Sequence, residues 1–480
     1  MASIVTTKNT NNNNSDNNND HVNKKNNQQI DNSFLPSSFL IPSQVVVKST
    51  NNNKNKKKSN SNKKKYYKKK KYVKQKPKAN VWVYIPEDHL RAHPLYKRLP
   101  IVESIIKLNS YNELSLFRQS SLQWDLMHNG RLTTSRAAGA TGMLEKKFAR
   151  KLGIPDSLSG NGKARQSYFH LRETPAFVNI QEAEKVLILT KDIDHKFILE
   201  KDDEYISSLQ ENLWTTTTNN NSSKKYPYNY MSKNSNKHNK SNVYNKYNRM
   251  AYGNIQEPTA ILVALNHFHR YNYTIYESGM YSGEALLEKY KNDVMKKRND
   301  KNKLPNSNYS DMKIKQLVLL EELLNLGCRI GASPDGIVIH NKNKNDVQAL
   351  EVKNHLNLTK QAYASFESMS TWYIVQLQLE MFCIGPNCNI ATLVRLSSTR
   401  GAVIFKMKRD DEYILMMLQR FKTFYSKYVL TKTAPPPNFD QDDELLQRFV
   451  GKTKDISKSK TSIVRRLWPN QIQRSPYYYQ

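Results

Sequence analysis

The chain has 480 residues, with 75 Lys and Arg against 42 Asp and Glu, a formal charge of +33, and 38% hydrophobic residues. That length accommodates one sizeable core with long polar appendages, and the charge favours a polyanionic partner. No apolar run reaches the ~18 residues of a membrane span, no signal-peptide core opens the chain, and three cysteines are too few for a disulfide framework or an iron–sulfur cluster.

The charge is uneven. Residues 54–78 hold fourteen lysines and no acid, residues 215–249 hold seven basic residues and no acid, and the remainder keeps +12. Residues 1–79 are rich in Asn, Lys and Ser, with one short apolar island at 39–47, and read as a disordered arm. Tyr66, Tyr67 and Tyr72 among its lysines suit base stacking together with phosphate neutralisation; a nuclear-localisation signal or a merely solvated tail would look the same. From Val81 the composition turns globular, and apolar spacing predicts helices over 90–108 and 114–127. Residues 215–249 open with threonine and asparagine runs and read as a disordered insertion. Pro258 suits a first helical turn, so a helix through Leu262, Leu265 and Phe268 is expected to begin beside Glu257. A carboxylate there can simply complement the helix dipole. A second polar stretch, 296–311, precedes a helix over 313–326.

The next segment carries the chemistry. Residues 328–339 are mostly apolar and β-branched, residues 341–346 are Asn, Lys and Asp, and residues 347–353 are apolar again, which describes a hairpin. Alternation puts Glu351 and Lys353 on one face and Leu350 and Val352 on the other. Ser333-Pro334-Asp335-Gly336 favours a turn or bulge that brings Asp335 toward the same end. Taken singly, the first motif is a plain turn and the second the wet face of a strand. Together they set two carboxylates beside an ammonium, a donor set for a hard cation such as Mg²⁺. Proton transfer alone contributes about 10²–10⁴-fold, and phosphate-ester hydrolysis needs far more, so metal-assisted phosphodiester cleavage is the expectation.

Beyond the hairpin, a helix carries Gln376 and Gln378, of which only one can face the site, since positions two apart diverge on a helix. Gln376 is the choice, because it shares a face with Trp372 and Glu380. Strands are expected over 390–396 and 402–407 and a helix over 411–428; Pro435-Pro436-Pro437 is expected to end the domain. The boundaries are thus an arm (1–79), an α/β domain (80–430) whose mixed central sheet is flanked by helices, and a tail (431–480). Cys383 and Cys388 suit zinc only with a histidine, and buried packing of Cys383 is preferred. His267 and His269, two apart on a helix, do not chelate.

These residues resemble the PD-(D/E)XK nucleases, with a restriction-endonuclease-like core, and within them the YqaJ viral recombinase and lambda-type exonuclease family. Trp124, His128, Gly130, Arg131, Thr133 and Ser135 look like the family's opening motif, Gly253 to Glu257 like its Gly-x3-Glu helix start, Tyr373 to Gln378 like its Tyr-x2-Gln-x-Gln helix, and Arg409 to Tyr413 like its last strand-to-helix junction. The resemblance spans about residues 115–430. It implies that Glu257, Asp335, Glu351 and the Val352 carbonyl hold Mg²⁺, with Mn²⁺ as an alternative, that Lys353 assists the nucleophilic water, and that Gln376 sits against the site. His128 stands where the family carries Arg, in a region that grips a terminal phosphate, and a neutral imidazole grips it less well. His128, Arg131, Thr133 and Ser135 are the phosphate-binding candidates. The implied activity is exonuclease processing of double-stranded DNA ends for recombination or repair; the alternatives are an endonuclease directed at foreign DNA and an inactive nucleic-acid-binding protein. The implied partners are DNA, further copies in a dimer or ring trimer, and a helicase or single-strand annealing protein. The Asn and Lys tracts, together with this resemblance, are compatible with a giant DNA virus of amoebae, which implies a cytoplasmic virus factory, or with an amoebal genome, which implies a nucleus or mitochondrion; the lack of a span or signal-peptide core leads to the expectation of a soluble intracellular protein.

Overall fold

The structure is a computed structural model that describes residues 85–108, 113–174, 176–183, 237–299, 311–355, 366–397 and 400–473. The basic arm (1–79), the section 184–236 and most of the second polar stretch (300–310) lie outside the described residues.

A seven-stranded mixed sheet has the order β1-β2-β5-β6-β7-β8-β9, from β1 (Tyr96–Lys97), β2 (Tyr273–Tyr276), β5 (Gly336–His340), β6 (Val347–Asn354), β7 (Cys388–Ser397), β8 (Gly401–Lys408) and β9 (Thr461–Leu467). A two-stranded sheet pairs β3 (Tyr281–Ser282) with β4 (Gly331–Ala332). β5 and β6 form the expected antiparallel hairpin, and β6 pairs in parallel with β7. β6 is therefore central, and its alternation is visible in the packing: Ala349 joins the core on one face, Leu350 and Val352 the core on the other.

Short helices precede the sheet's main strands, among them α1 (Glu87–Ala92), α2 (Val102–Lys107), α3 (Leu122–His128), α4 (Thr134–Thr141), α5 (Lys146–Lys151) and α6 (Gly162–Glu173). The single helix expected over 90–108 is divided into α1, β1 and α2, with Pro94 and Pro100 at the breaks. Proline lacks an N–H and clashes with the preceding turn, and this outweighs apolar spacing. α7 (Lys237–Phe268) covers one face of the sheet through Ala260, Leu262, Val263, Leu265 and Phe268. Its start corrects two expectations. Residues 237–249 are helical rather than part of a disordered insertion, and Pro258 lies inside the helix, so Glu257 is not at a helix mouth. An interior proline costs about 3 kcal/mol; the buried apolar run that follows it offsets this.

The other face carries the larger core, built by α4, α6, α8 (Gly283–Asn299), α9 (Asp311–Asn325), α10 (Trp372–Ile384), α11 (Asp411–Phe424) and α12 (Glu444–Ser459). After α11 the chain widens into a π turn, Tyr425–Val429. The expectation that the prolines end the domain is overturned. Leu446, Phe449, Val450 and Ile456 of α12 are buried in the main core, β9 pairs antiparallel with β8, and α13 (Pro469–Gln473) follows, contributing Ile472 to the α7 face. Pro435 is buried and Pro436 and Pro437 are exposed, and Asn161 Nδ2 donates to the Pro436 carbonyl at 2.8 Å. No helix among the described residues is long and apolar enough to cross a membrane.

Candidate active site

The site arises where β5 stops before β6 does. The last β5–β6 pair is Gly336 with Leu350, whereas β6 continues through Glu351–Asn354 beside β7. Pro334 cannot donate to a ladder, and the chain before β5 instead leads back to β4 in the small sheet. The backbone N–H of Val352, which would have faced the missing strand, donates to Asp335 Oδ2 at 2.6 Å. Within a strand the N–H and C=O of one residue share an edge, so the Val352 carbonyl faces the same side. The Ser333-Pro334 turn is braced from the opening motif: Trp124 Nε1 donates to Ser333 Oγ at 2.9 Å, and Gln119 Nε2 donates to the Pro334 carbonyl at 3.0 Å.

Glu351 and Lys353 share the face of Ala349, against which α10 packs. Lys353 Nζ donates to Glu351 Oε1. Gln376 Nε2 donates to the same oxygen and, at 2.9 Å, to Glu380 Oε1. Gln378 points away, donating to the Lys408 carbonyl and accepting from the Asp410 N–H, both at 3.0 Å. Glu351 is 2% exposed and Glu380 0%. The second oxygen of each, Oε2, is buried without a hydrogen-bond partner. Glu257 comes from α7 on the opposite face, and Asn354 Nδ2 ties the end of β6 to this helix through the Gly253 carbonyl at 2.7 Å. Asp335, Glu257, Lys353 and Gln376 remain partly exposed, so a buried acidic floor lies beneath an accessible rim.

The electrostatics match this geometry. Burial and then the charge of Glu351 push the Asp335 and Glu380 carboxyls well above the usual range, and the same two causes bring Glu257 up to about 7. Burial opposes the charge on Lys353, but Glu351 and Asp335 outweigh it and hold the ammonium's pKa above its ordinary value. Glu257, Asp335 and Glu380 thus each feel both the Glu351 carboxylate and the Lys353 ammonium.

Among the described residues, no three His, Cys, Asp or Glu side chains already stand as a ready metal cage. Glu351 gives one oxygen to Lys353 and Gln376, and Asp335 gives one to Val352. The donor set still fits a hard divalent cation. It is all oxygen, it holds the orphaned Glu351 Oε2, and its carboxyls repel one another.

The phosphate-binding candidates divide. The His128 ring stacks on Trp124 at 4.5 Å; burial, then His170, Arg136 and Arg131, hold its pKa down at about 4, so it is neutral. Thr133 is buried, Ser135 is exposed, and their hydroxyls lie 3.2 Å apart. Arg131 is not placed to grip a phosphate. It is 0% exposed, and its donors go to the Met127 carbonyl at 2.7 Å, to Glu284 at 2.7 Å and to the Phe177 carbonyl at 2.9 Å. Arg136, which the sequence reading passed over, is half-buried beside both His128 and His170.

Glu380, Asn354 and Gln119 were also not singled out from sequence. Only Glu380 had a signal, its spacing four residues after Gln376 on one helix face. Cys328, Cys383 and Cys388 are free and buried, and burial raises each thiol's pKa. His267 closes α7 and His269 opens the 3-10 turn after it.

No protein-family model matches the chain, and no curated protein does. Among solved structures, the chain is similar to the crystal structure of an alkaline exonuclease (LHK-Exo) from Laribacter hongkongensis, at 14% identity and a TM-score of 0.28, over 69% of this chain and 99% of that one. Likeness at that level decides nothing about chemistry, so function rests on the geometry above.

Proposed function

We propose that the protein is a metal-dependent nuclease that hydrolyses phosphodiester bonds in DNA, acting as an exonuclease on double-stranded ends in recombination or repair. The observation that carries this is the fork where β5 leaves β6: Asp335 and the Val352 backbone meet there, beside Glu351 and Lys353. Mg²⁺, or Mn²⁺ in its place, would be held by Asp335, Glu351, Glu257 and the Val352 carbonyl. Bound there, the ion supplies an acidified water and neutralises charge on the phosphate. Lys353 presents an ammonium that stays charged and holds the attacking water or a phosphate oxygen. Gln376 fixes the rotamer of Glu351, and Glu380 fixes Gln376. The braced Ser333-Pro334 turn keeps Asp335 on the open edge of β6.

Endonucleolytic cutting is the second reading, and one observation favours it. The opening motif offers a neutral His128 and an Arg131 committed to internal partners, a poor grip for a terminal phosphate. Digestion of end-labelled linear duplex beside covalently closed circles, with and without Mg²⁺, tests both. Loss of label from linear DNA with inert circles supports the exonuclease, and linearised circles support the endonuclease. DNA binding without turnover in Mg²⁺ or Mn²⁺ would contradict both and leave a binding protein.

A further inference from the structure

We infer that the β8–β9 side of the sheet, on the α7 face, carries a second nucleic-acid surface, shaped for a single strand leaving the site; this rests on the nuclease reading. α7 ends at Phe268, and the 3-10 turn His269–Tyr271 follows. Lys406 Nζ lies 5.7 Å from the centre of the Phe268 ring, and the His267 and Tyr271 rings are 5.2 Å apart. Arg465 of β9 pairs with Ile404, whose side chain is in the α7-face core, and Lys406 lies two positions further along β8 on that same face.

The surface therefore gathers Arg270, Lys406 and Arg465 at the end of α7. Their mutual proximity shows in the charges felt at the buried His267, whose proton is disfavoured by burial and then by Lys406, Arg465 and Arg270. Arg465 in turn is opposed by burial and then by Arg270. Asp346, which acts on Lys406, also accepts from the Tyr273 hydroxyl at 2.6 Å. Like charges held together cost self-repulsion, and a polyanion relieves it.

The aromatics decide which polyanion. Tyr271 is 60% exposed, and Trp468, which follows β9 directly, is 64% exposed. Exposed rings among cations form a platform for unstacked bases, and an intact duplex offers none along its length. From Glu257 to Arg270 the helix and turn span roughly 20 Å at ~1.5 Å per residue. A strand stacked at ~3.4 Å per nucleotide covers that distance in about six nucleotides, and an unstacked one in fewer, so a strand of about 20 nucleotides reaches both places.

The test uses the full-length protein in EDTA, cross-linked by light to a 5-bromouracil single strand of about 20 nucleotides and to the same strand within a blunt duplex. The expected result is labelling at Tyr271 or Trp468 by the single strand and not by the duplex. Tyr271→Ala is expected to weaken single-strand binding about 10-fold. The Arg270→Ala/Arg465→Ala pair is expected to make the salt dependence shallower by about 1.4 in log–log slope, two phosphates at ~0.7 each. Labelling confined to other segments, equal labelling by duplex, or unchanged affinity in Tyr271→Ala would overturn the inference. Cleavage in Mg²⁺ is read separately. A protein that labels at Tyr271 or Trp468 but never cuts sinks the nuclease reading alone, and one that cuts but labels at neither sinks this surface alone.

Discussion

Arg420 and Glu351 are both charged residues sealed in the fold, 0% and 2% exposed, but their surroundings differ. Arg420 donates to Asp440 at 2.8 Å, to Asp443 at 2.9 Å and to the Thr141 carbonyl at 3.2 Å. Asp440 also accepts from Lys427 at 2.6 Å and Tyr428 at 3.0 Å. Burial pushes its carboxyl up, yet those hydrogen bonds win and hold it below the usual range. Around Glu351 the balance is reversed: carboxyls are in surplus, two of their oxygens lack partners, and the acids push one another up. Breaking a matched buried pair is costly because it strands a charge. An unmatched carboxyl cluster beneath partly exposed side chains is typical of a functional site.

The largest expected effect sharpens this contrast. Glu351→Gln or Lys353→Ala should lower single-turnover cleavage in Mg²⁺ by roughly 10²–10³-fold, the range for removing one group that meets developing charge, and Glu351→Gln, which removes one of the surplus carboxyls, should do so without lowering the unfolding midpoint. Wild-type rates in both variants would erase the distinction between the clusters. Arg420→Ala should do the opposite, removing about 3–5 kcal/mol of stability in urea unfolding, while cleavage per folded molecule stays the same. Gln376→Leu should cost about 10–100-fold in rate, as expected of a group that orients a metal ligand, and the Mg²⁺ concentration for half-maximal rate should rise with it. If only kcat falls, Gln376 acts on the substrate rather than through Glu351.

The smallest effect is a pH dependence. Asp440 has a depressed folded pKa, so its contribution to stability is present above the ordinary carboxylate pKa of ~3.9 and is lost as pH falls through the folded value. Asp440→Asn should be less stable at neutral pH and lose less on acidification below about pH 4. Parallel acid limbs for variant and wild type would show that Asp440 is not held as described.

Legibility followed locality. The shared face of Glu351 and Lys353 depends only on strand alternation, and the choice of Gln376 over Gln378 only on helix geometry; both are visible in the structure without tertiary information. β7 and β8 were also readable, because their apolar runs are continuous and flanked by turn residues. Features set by distant partners were not. Arg131 looked like a phosphate ligand until Glu284, far along the chain, was seen to claim it. The segment after Pro437 reads as a tail because residues 440–444 are all polar, while Phe439 and the apolar stripe of α12 gain meaning only against the main core. Pro258 signalled a helix start by local rule, and packing of the residues after it overrode that signal.

The most direct measurement is calorimetric titration of Mg²⁺ into the wild type, Asp335→Asn and Glu351→Gln. The account predicts binding by the wild type and its loss in both variants. Equal binding by all three, or none by the wild type, would contradict it.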